Sequence, residues 1–257
     1  MASAMVTQSD RRDGEAMSIV AYYGDKREPL RGLITDIQRR ISQKLGHAFQ
    51  PRPLPEVHAT IIGVESIGSP VDRASRARLP RAAECVDLEG LERYVCAAFH
   101  VQRATIQFGG FDGSDYGLLS RGRPLEERCF VIDRGHIVVI GWPVVRLDGM
   151  IKATSFLDTV RRGCLSFGVR HKYYSHETSV DPDLYMVIGE WASSREPDSK
   201  RASQLIADVH RDSLARPIAA TLGPADLQLV TYVARSLPRT STVATPLCNL
   251  NDGFESG

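Results

Sequence analysis

The sequence predicts an α+β fold with largely antiparallel sheets, on three observations. Candidate strands and helices come in runs and not in strict alternation, which disfavours a doubly wound parallel sheet. Two strand candidates, 128–133 and 136–144, are separated by "DRG", a hairpin signal. No internal repeat recurs at the short periods of solenoids.

The elements follow in order. Residues 1–16 are polar and aperiodic and are expected to be a disordered tail. "SIVAYY" (18–23) is β-branched and aromatic, a first strand. Pro29 suits a first helical turn, and Leu30, Leu33, Ile34, Ile37, Ile41 and Leu45 follow at steps of three and four. They define an amphipathic helix that Gly46 closes. The proline-stiffened "QPRPLPE" connects it to a strand around "HATII". Residues 66–82 read as an exposed loop, 87–100 as a helix, 104–111, 128–133 and 136–144 as strands, and 154–168 as a helix. The stretch 169–191 is strand-like apart from its Asp-Pro turn, 201–214 is a helix and 227–238 a closing strand. The tail 239–257 is expected to be loose, leaving 17–238 as the folded domain.

Composition narrows the function. There are 32 basic and 31 acidic residues in 257, so the formal net charge of +1 gives no footprint for long nucleic acid. A small nucleotide or short oligonucleotide fits that charge better. The five cysteines are widely spaced, odd in number and lack a CxxC pair. They read as reduced thiols, and with no apolar membrane span or signal segment a monomeric, cytoplasmic protein is expected. No metal or cofactor is expected: Asp133 with His136, and Asp181 with Asp183, are pairs without a full coordination set. The glycine cluster 109–117 lacks the ending of a phosphate loop.

The chemistry lies in a repeated pattern. "HATII" puts His58 two residues before Thr60, and "HETSV" puts His176 two residues before Thr178, each with an aliphatic residue at the fifth position. On a strand, positions i and i+2 share a face, so each segment would present a ring and a hydroxyl side by side. Imidazole can act as acid or base near neutral pH, and hydroxyls can hold phosphate oxygens. His136 has Val138 where the hydroxyl should be, and the other histidines lack the pattern. Arg161, Arg162, Arg170 and Lys172 read as a solvated helix end, while Lys172, Tyr173 and Tyr174 are candidates to line a groove.

On these two H-x-T segments the chain resembles the two-histidine (2H) phosphoesterase superfamily. The resemblance implies a bilobal fold, two pseudo-symmetric antiparallel sheets backed by helices around a central groove, with an insertion around 65–100. It implies a metal-independent phosphodiesterase acting on a cyclic or 2′,5′-type linkage. His58 and His176 would be its acid–base pair, and Thr60 and Thr178 its phosphate ligands. The alternative is a nucleotide- or RNA-binding module with the same groove and no turnover.

Overall fold

The computed structural model describes residues 5–6, 15–64, 86–174, 176, 178–191 and 199–248. Its strands are β1 (Met5–Val6), β2 (Ala16–Ala21), β3 (Phe49–Pro51), β4 (Ala59–Gly63), β5 (Val86–Asp87), β6 (Ala104–Phe108) and β7 (Phe130–Asp133). They continue with β8 (His136–Leu147), β9 (Met150–Ala153), β10 (Leu184–Trp191), β11 (Ile218–Leu222), β12 (Leu227–Tyr232) and β13 (Thr242–Pro246). The helices are α1 (Leu30–Leu45), α2 (Leu88–Val101), α3 (Leu125–Arg128), α4 (Phe156–Gly163) and α5 (Ser199–Asp212). None of them is long and apolar enough to cross a membrane.

The class is α+β, with every described strand pairing antiparallel. The predicted face of α1 is the buried one: Leu30, Leu33, Ile34, Ile37, Ile41 and Leu45 all enter the core. Helix α2 opens where the Asp87 carboxylate accepts the Gly90 N–H and buries Leu91, Val95 and Phe99. Helix α4 buries Leu157 and Val160, and its extension through Phe167 ends at Gly168, whose φ of 80° suits a residue without Cβ.

The sheet differs from expectation. Among the described residues, eleven strands share one sheet, ordered β11-β6-β8-β10-β4-β2-β12-β13, with β7 and β9 also on β8 and β3 also on β10. The two expected sheets are therefore continuous through β4 and β10, where Ala59 faces Met186.

That junction joins two stretches of identical register. In the first, Ala21 faces Ala59 and Val20 faces Thr60; a one-residue slip then brings Ile19 opposite Ile62 and Ser18 opposite Gly63. In the second, Val139 faces Met186 and Val138 faces Val187; the same slip brings Ile137 opposite Gly189 and His136 opposite Glu190. The bulged residues are Ile61 and Ile188. The outer neighbours repeat too: Leu227 to Val230 run against Ala21 to Ser18 as Phe130 to Asp133 run against Val139 to His136. An antiparallel pair has a local two-fold axis at its midpoint, and here the axis at Ala59–Met186 relates one stretch to the other.

Several expectations at the edges change. Residues 242–246 of the supposedly loose C-terminal tail form edge strand β13, and Met5–Val6 of the N-terminal tail pair with Val86–Asp87. The 66–82 loop lies outside the described residues, while the rest of the proposed insertion includes the core helix α2. Cys96 and Cys248 are bonded, with Cα atoms 5.7 Å apart, inside the range a disulfide spans. All-reduced thiols were the wrong reading, because widely separated cysteines meet once the C-terminal segment crosses α2. The cytoplasmic location loses that support, since disulfides belong mainly to oxidising compartments. Cys129 and Cys164 are free and buried.

Candidate functional site: one face of the β4–β10 junction

His58 immediately precedes β4 and is buried save for 8% of its surface. Its Nδ1 lies 2.7 Å from the Glu56 carbonyl oxygen. A carbonyl only accepts, so Nδ1 carries the proton and Nε2 keeps its lone pair. The Tyr23 ring meets the imidazole edge-on at 6.1 Å. Burial above all pushes the His58 pKa down to about 4; the Glu56 carbonyl pulls the other way, and the charges of Arg52 and Lys26 add to the fall. His58 is therefore a neutral imidazole at physiological pH. Lys26 is itself buried, donating to the Gly24 and Leu54 carbonyls at 3.0 and 2.6 Å, and burial lowers its pKa to about 8.

Thr60, half-buried, lies two residues on from His58, a spacing that on an extended chain puts both on one face. Across the junction, the Ala59–Met186 register carries Thr60 opposite Tyr185 and His58 opposite Val187. Tyr185 and Val187 are also half-buried, between the fully buried Leu184, Met186 and Ile188. The face thus holds His58, Thr60, Tyr185 and Val187, with Tyr185 and Val187 at the two-fold equivalents of His58 and Thr60.

His176 and Thr178 do not take those places, which corrects the sequence expectation. Both are exposed in a turn ahead of β10. There the His176 N–H donates to Ser179 Oγ at 3.0 Å and the Ser179 N–H to the His176 carbonyl at 3.1 Å. The strand reading failed because the described residues between 169 and 183 spend their polar groups on local turns and a buried network instead of a ladder. Glu177 lies outside the described residues.

Arg161 organises that network and is not the solvated side chain expected; it is 3% exposed. It donates to the Thr60, Ile61, Asp181 and Asp183 carbonyls at 3.0, 2.9, 2.6 and 3.0 Å. One guanidinium thus ties the bulged end of β4 to the entry of β10. Asp183 accepts from Ser120 Oγ, Trp142 Nε1 and Arg128 at 2.7, 2.8 and 2.7 Å. Buried His171 sits with Nε2 2.6 Å from Asp181 Oδ2, while its Nδ1 has no hydrogen-bond partner among the described residues. Burial lowers the His171 pKa against the pull of Asp181; burial would raise that of Asp181, but His171 and Arg161 bring it down to about 2. The Asp181 carboxylate accepts the Nε2–H of His171.

Of the groove candidates, Tyr174 is buried, its hydroxyl donating to Asp158 at 2.7 Å, and belongs to the network. Tyr173 is 53% exposed, with Arg121 and Lys172 over its ring at 5.2 and 5.1 Å. The Arg121 charge reaches Tyr185. Sequence reading missed Tyr185, Arg161 and the His171–Asp181 pair. The alternation in "LYMVIGEW" was the available signal for Tyr185, since it puts Tyr185 and Val187 on the half-exposed face.

No protein-family model matches the chain, and no curated protein matches it. Two solved structures are similar to it. TT0787 of Thermus thermophilus is 9% identical with a TM-score of 0.39, over 90% of this chain and 93% of that one. The conserved protein of unknown function ATU0111 from Agrobacterium tumefaciens str. C58 is 9% identical with a TM-score of 0.41, over 85% and 80%.

Proposed function

We propose that the chain is a metal-independent phosphodiesterase of bilobal 2H plan, acting on a cyclic or 2′,5′-type linkage in a small nucleotide or short oligonucleotide. The observation that carries this is the orientation of His58. Its Nδ1–H is committed to the Glu56 carbonyl, so Nε2 is left as a proton acceptor. His58 takes the proton of the attacking water, and the Thr60 hydroxyl donates to a non-bridging phosphate oxygen where charge gathers. The register repeat about Ala59–Met186 supports the bilobal plan. The charges of Lys26 and Arg52 reach His58, Arg52 being ion-paired with Glu190 at 3.2 Å. His176 and Thr178 are left out of the mechanism because they lie in the turn.

A second reading, a nucleotide-binding module without turnover, is favoured by Val187. It stands at the equivalent of Thr60 and has no hydroxyl to give. A panel of 2′,3′- and 3′,5′-cyclic nucleotides and short 2′,5′- and 3′,5′-linked oligonucleotides separates the two. Turnover that persists in excess chelator supports the phosphodiesterase. Binding by calorimetry with no product from any member supports the module, and neither binding nor product refutes both.

A further inference from the structure

We infer that Tyr185 is the second catalytic residue, standing where the two-fold repeat of the sheet calls for a partner to His58. The inference rests on the phosphodiesterase reading and names the group that serves the leaving oxygen.

Three observations carry it. The register relates Ala59 to Met186 and Ile61 to Ile188, so the step that leads from Ala59 back to His58 leads from Met186 back to Tyr185. His58 and Tyr185 are then diagonal neighbours across an antiparallel pair, about 7–8 Å apart with their Cβ atoms somewhat closer, on one face of the sheet. Finally, the Tyr185 hydroxyl donates to Asp133 Oδ2 at 3.2 Å. That is longer than the roughly 2.5–2.7 Å of a strong hydroxyl–carboxylate bond, so the hydroxyl can turn from Asp133 to a ligand. Asp133 lies one strand beyond β8, its side chain 46% exposed.

In the reaction, water loses a proton to His58 Nε2 as its oxygen bonds to phosphorus. The bond from phosphorus to the leaving oxygen breaks, and that oxygen takes the Tyr185 proton. Solvent reprotonates the phenolate and removes the proton from His58. Burial first, and then Asp133, hold the Tyr185 pKa above its ordinary value, so the hydroxyl keeps a proton to give throughout the physiological range.

The test is the pH dependence of kcat on the best cyclic nucleotide of the panel, for the wild type and for Tyr185→Phe, Tyr185→His, Asp133→Asn and His176→Ala. The wild type should show one rising limb near pH 4, set by His58, and a plateau that ends in a falling limb only in the alkaline range, set by Tyr185. Tyr185→Phe should lower kcat by about 10²–10⁴, the usual worth of an acid or base. Tyr185→His should add a falling limb near pH 6.5, the ordinary histidine value. Asp133→Asn, at a half-exposed position where folding is not at stake, should bring the alkaline limb to lower pH. His176→Ala should leave the profile unchanged. Wild-type turnover that Tyr185→Phe keeps, an alkaline limb that Asp133→Asn does not move, or a falling limb near neutrality that His176→Ala removes would each overturn the inference while leaving the phosphodiesterase reading intact. Absence of wild-type turnover would sink that reading first.

Discussion

As the base of the proposed mechanism, His58 carries two opposing demands. A base needs a free lone pair, and burial supplies it by keeping the ring neutral, with a pKa of about 4. Burial also makes the ring a stability liability in acid. The folded pKa lies below the unfolded value, so between about pH 6.5 and 4 the unfolded state binds more protons and stability falls as pH falls. The loss is on the order of 3 kcal/mol across that window. Urea unfolding at pH 7 and pH 4.5 checks it: the wild type should lose more stability between the two than His58→Gln does. In the proposed mechanism Thr60 acts through its hydroxyl alone. Thr60→Val should keep the fold and lower kcat/KM by the worth of one hydrogen bond to a charged oxygen, about 1.5–3 kcal/mol.

Among elements, the β4–β10 junction is held by a side chain as well as by strand pairing. Arg161 reaches four carbonyls, two on each strand approach, and no other residue type offers five donors on a rigid plane. Arg161→Met would leave those buried carbonyls unsatisfied and should cost at least about 3 kcal/mol. Arg161→Lys should recover little of that. Hydrogen exchange should then show faster opening of the β4 and β10 amides than of α1. What could be read in the sequence follows from how local each signal is. The six apolar positions of α1 are a local periodicity and reappear as its buried face, and the His58–Thr60 spacing is an equally local pattern. His176 and Thr178 matched the same spacing, but the Asp-Pro-Asp segment and Arg161 hold that region in turns. No local pattern reports that the Tyr185 strand, and not the second H-x-T, lies beside β4. That is a matter of tertiary pairing.

At the scale of the whole molecule, the same separation between near and far applies to the cysteines. Cys96 and Cys248 are 152 residues apart, and the return of β13 antiparallel along β12 brings the C-terminal segment to α2. Closing so long a loop should stabilise the fold by about 2–4 kcal/mol, mostly through the unfolded chain. Thermal unfolding with and without reductant checks this. The wild type should lose several degrees on reduction, while Cys96→Ser should start from the lower value and not respond.

The central claim is that His58 Nε2 faces the phosphate of a bound nucleotide. Nitrogen-15 NMR of the imidazole, titrated with a non-hydrolysable cyclic nucleotide, tests it most directly. In the free protein the His58 resonances should report the Nδ1–H tautomer, with a midpoint of about 4. An anion placed against Nε2 favours the charged ring, so at saturation the Nε2 signal should move strongly and the midpoint should rise. His58 signals and a midpoint unchanged at saturating nucleotide would contradict the claim.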